Sequence, residues 1–163
     1  MGQRITDEIA INTLSIQTIQ TAQTVHNTHI GFRVASSLNN NQDIYNGTVL
    51  KFNYIADGRR GYCSPDISAF DKLTYEYIIP VDGLYMLGFH VYLNSAATNE
   101  FRLNIIVGTT VVALGGKFAY QTESISTTAI CYAGERVRVQ GGSNGVQQIY
   151  MSDVTSWFFG YKI

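Results

Sequence analysis

Residues 84–93, LYMLGFHVYL, constrain the fold of this chain more than any other stretch. A strand lying half in a core and half in water alternates apolar with polar side chains. Here both alternating sets are apolar or aromatic: Tyr85, Leu87, Phe89, Val91 and Leu93 in one, Leu84, Met86, His90 and Tyr92 in the other. Such a strand needs cover on two sides. In a two-sheet sandwich the inner face packs on the opposite sheet. The outer face must then meet another surface, and a copy of the same chain is the simplest one.

Strand signals continue through the rest of the chain after residue 30. Runs rich in β-branched and aromatic residues occur at 30–36, 48–55, 73–80, 84–93, 101–107, 110–114, 124–132, 136–140 and 154–163. Asn39-Asn40-Asn41, Asp57-Gly58, Asp82-Gly83, Gly115-Gly116, Ala133-Gly134 and Gly141-Gly142 mark the turns. No helical period appears, so the expectation is an all-β sandwich of two antiparallel sheets over 30–163. In 101–107 Phe101, Leu103, Ile105 and Val107 form one face while Arg102 and Asn104 mark a wet one. The end of the chain, SWFFGYKI, puts four aromatics into residues 157–161. A terminal segment so apolar is expected in the middle of a sheet rather than frayed.

Residues 1–29 differ in character. Ile9, Ile11, Leu14, Ile16 and Ile19 follow a 2-3-2-3 spacing in a Thr- and Gln-rich background. At the helical rotation of about 100° per residue they scatter around the axis instead of forming a stripe. Extended chain fits better, and the segment is expected to be a short stalk or docking segment preceding the head.

Composition removes several functions. Charged residues make up 14% of the chain and the net charge is −1. No run of Lys or Arg offers the electrostatic footprint of a nucleic-acid binder or a polybasic membrane patch. No stretch of about 18 apolar residues would span a bilayer, and no signal peptide is visible near Met1. Met1-Gly2-Gln-Arg-Ile-Thr6 fits the minimal pattern for acylation of Gly2, a pattern short enough to recur by chance. Cys63 and Cys131 are too few for a disulfide framework; a single bridge is possible, and two small buried hydrophobes is the simpler reading.

One block resembles a known family. Tyr77-Ile-Ile-Pro80-Val-Asp-Gly83-Leu-Tyr85-Met-Leu87-Gly-Phe89-His90 is similar to the Phe-x-x-Pro-x-x-Gly-x-Tyr-x-Phe-x-aromatic-His block of the globular head of the complement first-component q subunit, within the tumour necrosis factor-like jelly-roll superfamily. Gly31-Phe32-Arg-Val34, Val49-Leu50-Lys51-Phe52, Gly134-Glu135-Arg-Val137-Arg-Val139 and Ser156-Trp-Phe158-Phe-Gly160-Tyr161-Lys-Ile163 follow in family order. Two features depart from it: the loop at 62–70 is longer, and no collagen-like tail is present. The resemblance implies a jelly roll, a compact homotrimer and a binding role. One face of 84–93 would fill the sandwich and the other, with the C-terminal strand, would face a threefold axis. Tyr85, Leu87, Phe89, Tyr92, Phe158 and Tyr161 are the expected interface residues.

No catalytic group emerges. A cupin-type metal site needs a His-x-His pair with a following Glu, and His26, His29 and His90 offer neither. No Gly-x-Ser-x-Gly elbow occurs, and GGSNG at 141–145 lacks the helix and Lys of a phosphate loop. Asp66 and Asp71 are weak calcium candidates, since two carboxylates fall short of the usual six to eight oxygens; otherwise no cofactor is expected. Asn46-Gly-Thr48 is a glycosylation sequon. The expected function is therefore non-enzymatic. It is a trimeric head at an extracellular or virion surface, binding a protein or glycan through loops at 39–47, 57–66, 94–100 and 141–148, with Asn40, Arg59, Arg60, Asn94, Asn99 and Asn144 as the candidate contacts. The alternative is a capsid or fibre cement protein, docked through the stalk and without a ligand of its own.

Overall fold

A computed structural model describes residues 30–53, 62–64, 67–93, 102–115, 122–142, 147–152 and 154–163. The strands among them are β1 (Gly31–Ala35), β2 (Asn40–Ile44), β3 (Tyr62–Ser64), β4 (Phe70–Asp71), β5 (Glu76–Ile78), β6 (Gly83–Leu93), β7 (Leu103–Val107), β8 (Thr110–Leu114), β9 (Thr122–Cys131), β10 (Arg136–Gly141), β11 (Gln147–Met151) and β12 (Trp157–Lys162). They build two antiparallel sheets. One has seven strands in the order β2-β11-β6-β12-β1-β3, with β9 on the second edge of β6. The other has five, in the order β4-β5-β10-β7-β8.

The 11-residue β6 is the spine of the larger sheet. Along one edge it pairs with β11 at Tyr92 and Leu93 and with β12 from Tyr85 to His90; along the other it pairs with β9 from Gly83 to Tyr92. The inward set Tyr85, Leu87, Phe89, Val91 and Leu93 is fully buried. Opposing it from the smaller sheet are Tyr77, Leu103, Ile105, Val107, Val137 and Val139, all in the same core cluster. Aromatic rings stitch the sheets together: Phe32 stacks on Tyr77 at 4.1 Å and meets Phe158 edge-on at 4.7 Å. Gly160 makes room for that contact, since a Cβ there would lie 2.6 Å from Phe32 and 2.7 Å from Leu87.

The boundaries differ from expectation in an instructive way. The Asn- and Gln-rich segments at 39–47 and 141–148 are not simple loops, because β2 lies in the first, β11 begins in the second, and the two pair residue for residue, Ile44 with Gln147 through Asn40 with Met151. Ile44, Ile149 and Met151 supply the apolar inward positions that hold this pair to the core. Residues 50–53 carry no strand beyond the single bridge of Val49 to Gln140. Of the run 73–80, only Glu76–Ile78 pairs, after a turn at 72–75. β7 also lacks its expected wet face, since Asn104 and Ile106 are buried as well. On that side β7 is flanked in register by Arg138 and Gln140 of β10 and by Val111 and Leu114 of β8.

Candidate functional site

The outer face of the seven-stranded sheet answers the question raised by residues 84–93. Register places Met86 opposite Tyr161, Gly88 opposite Phe159 and His90 opposite Trp157 on β12. Tyr92 lies opposite Tyr150 on β11. All the large side chains in this set are only half-buried. Gly88 is a requirement of the surface, because the Phe159 ring lies where a side chain at 88 would begin. Tyr161 donates its hydroxyl hydrogen to Met86 Sδ at 2.9 Å. At one end the face turns aliphatic: Leu84 is 44% exposed, its cross-strand neighbour Ile130 68%, and Ile163, bonded through its N–H to the Leu84 carbonyl, 62%. On the β9 side it carries a row of exposed hydroxyls, Thr122, Ser124, Ser126 and Thr128.

A lateral row of four side chains crosses this face. Arg33 of β1 lies over the Trp157 ring with its guanidinium carbon 5.4 Å from the centroid. Trp157 stacks on His90 at 4.2 Å and 18°. His90 Nδ1 and Ser124 Oγ of β9 are 2.5 Å apart. Burial holds the His90 imidazole below its ordinary pKa. Arg33 Nε is buried without an acceptor. The site is thus an aromatic plane with one cation and one imidazole bonded to a serine hydroxyl, suited to burying area.

No family model and no curated protein sequence matches the chain. Solved structures do. The Eiger TNF of S. frugiperda superposes with a TM-score of 0.63 at 11% identity, over 83% of this chain and 93% of that one. This chain has a jelly-roll fold similar to that of this tumour necrosis factor. Rabbit GITRL is a further neighbour, with a TM-score of 0.42 at 10% identity over 54% of this chain and 70% of that one.

On this tumour necrosis factor-like fold the six expected interface residues divide. Tyr85, Leu87, Phe89 and Phe158 point into the sandwich and are already fully buried within one chain, so they have no surface left for a partner. That expectation is corrected. Alternation decides it, because Phe158 pairs with Phe89 on the inner face. Tyr92 and Tyr161 do lie on the outer face. Arg33, Met86, Tyr150, Trp157 and Phe159 share this face with them and were not among the six. Stepping by two from Tyr161 through Phe159 to Trp157 would have found three positions of that face.

The expected loop contacts are dispersed in what can be described. Asn40 is exposed at the start of β2, while Arg59, Arg60, Asn94, Asn99 and Asn144 lie outside the described residues, as do His26, His29 and Asp66. Several strand ends flanking these loops meet at one end of the jelly roll. Leu103 pairs with Gly141, Tyr92 with Thr122, and Ile44 with Gln147 there. Asn46 is exposed in the neighbouring turn, where Thr48 N–H bonds the Tyr45 carbonyl.

Asp71 is occupied. Its Oδ1 accepts from the Leu73 and Thr74 N–H groups and its Oδ2 pairs with Arg136 at 3.3 Å. These contacts, the Leu73 N–H first, hold its pKa below the usual carboxylate value. Arg136 also pairs with Glu76 at 2.9 Å, and Arg138 with the same carboxylate at 3.2 Å. Among the described residues no cluster of three metal-ligating side chains occurs and no helix is long and apolar enough to cross a membrane. Cys131 is a buried free thiol with its pKa pushed up to about 11 by desolvation, and the side chain of Cys63 lies outside the described set.

Proposed function

We propose that this chain is the head of a homotrimer that binds a protein or glycan on a cell or virion surface without catalysing a reaction. The observation that carries the reading is the partly exposed plane of Met86 and the aromatic Tyr92, Tyr150, Trp157, Phe159 and Tyr161. Monomeric proteins seldom leave so large an apolar patch in water. Arg33 is its one cation among the described residues, and Asp43, on the β2 margin, is held by Gln148 Nε2 at 3.0 Å. A plane this poor in charge suits another copy of itself better than a polar ligand, and closure around a threefold axis leaves no copy of it exposed. Assembly through this face turns the loop ends of three jelly rolls in one direction, where avidity multiplies a weak contact.

Light scattering on the purified chain at micromolar concentration tests the assembly, with an expected mass three times that of the chain. A stable monomer overturns it. Substituting loops 57–66, 94–100 and 141–148 one at a time, with the trimer retained, is expected to reduce attachment to cells or glycans in at least one variant. Attachment unchanged in all of them transfers the role to a structural trimer docked through residues 1–29.

A further inference from the structure

The row across the outer face has a chemical property that simple burial does not require. We propose that assembly through this face is acid-sensitive, and that protonation of His90 separates the subunits. The proposal rests on the assembly reading above and concerns its regulation.

His90 is built into the face as a neutral ring. One edge is engaged by Ser124 Oγ and one face is covered by Trp157, so water has lost two routes to the imidazole before any partner arrives. A second copy removes more of that water, and a charge left there lacks the hydration that would stabilise it. The groups around His90 give no compensation. β12 brings Trp157 and Phe159, β9 brings Ser124, β11 brings Tyr150 beside Tyr92 of β6, and β1 brings Arg33. Glu123 belongs to the opposite face of β9, where it pairs with the inward Val91. Among the described residues, the charge nearest in this row is thus another cation. Arg33 also already occupies the Trp157 ring as a cation, which limits what the same indole can offer a second one.

The direction follows from linkage. A histidine with a lowered pKa in the folded, assembled state favours that state when neutral. The separate chain already holds His90 below the ordinary value of about 6.5, so its contribution to assembly is present above the separated subunit's lowered value and is lost as pH falls from there through the still lower value of the assembled state. Burial at the interface extends that window downward. Assembly is therefore stable at neutral pH and weakens in the range of acidified compartments.

Light scattering of the full chain between about pH 7.5 and about pH 5 tests the proposal, since an imidazole titrates within that range. The expected result is a trimer at the upper value and a fall to a third of that mass at the lower, with the strand signal in circular dichroism retained. His90→Gln, which can still bond Ser124, is expected to remain trimeric throughout. Arg33→Met is expected to shift the dissociation midpoint to lower pH. Trp157 is the only tryptophan and stacks on His90, so its fluorescence in the unmodified chain should change with the same midpoint as the mass. A trimer of unchanged mass at both pH values overturns acid sensitivity while leaving assembly intact. Equal dissociation of His90→Gln and the unmodified chain, or fluorescence and mass midpoints that differ, removes His90 as the trigger. A monomer at the upper pH defeats the assembly reading and this proposal with it.

Discussion

Phe158 and Phe159 are neighbours in sequence with opposite duties. Phe158 sits against Phe32 and Phe52 in the core, whereas Phe159 lies over Gly88 on the outer face. Substitutions on the inner and the outer face should therefore give different results. Phe158→Ala is expected to lower unfolding stability in urea by about 3–5 kcal/mol, the cost of an aromatic-sized cavity. Tyr161→Asp or Tyr92→Asp is expected to leave the chain folded, as read by circular dichroism, and to abolish the trimer in light scattering, because the introduced carboxylate would be buried without a partner. The aromatic richness of 157–161 was legible in the sequence, and so was its place inside a sheet. Its division between two faces was legible too, but only to a reading that held to the two-residue period. Grouping Phe158 with Tyr161 ignored that residues three apart in a strand face opposite ways.

At the scale of elements, β6, β8, β9, β10 and β12 stand close to where apolar alternation and glycine turns put them. β2 and β11 escaped because NNQDI and QQIYM are rich in Asn and Gln, with Gln42 even buried, and their strand character comes from each other as partners. Pairing between residues about a hundred positions apart leaves no local trace, which is why tertiary context overrides propensity here. The β4–β5 connection yields a test of a different kind. Asp71 already spends its oxygens on two N–H groups and Arg136, so saturating calcium or a chelator is expected to leave the melting temperature unchanged. A rise with calcium would require a site formed elsewhere. The lowered pKa of Asp71 also has a signed consequence. Its contribution is present above the ordinary Asp value of about 3.9 and is lost as pH falls through the lowered value. The melting temperature of Asp71→Asn, measured by circular dichroism, should accordingly fall less than that of the unmodified chain as pH drops from the ordinary Asp value through the lowered one.

Among the described residues the core cluster lies within 32–158. Deleting residues 1–29 is therefore expected to leave a head with the same strand signal in circular dichroism and a similar melting temperature. Loss of folding on deletion would show that the leading segment completes the core. The ends of the described head are also adjacent, since Lys162 N–H bonds the Ile30 carbonyl at 2.8 Å. They leave from the side where Leu84 and Ile130 are exposed, away from the strand ends that flank 94–101 and 143–146. That adjacency makes the jelly roll a candidate for circular permutation, with a short linker joining 163 to 30 and new termini opened elsewhere. It also allows three heads to be written as one tandem polypeptide, in which a single subunit can carry a substitution that its two neighbours lack.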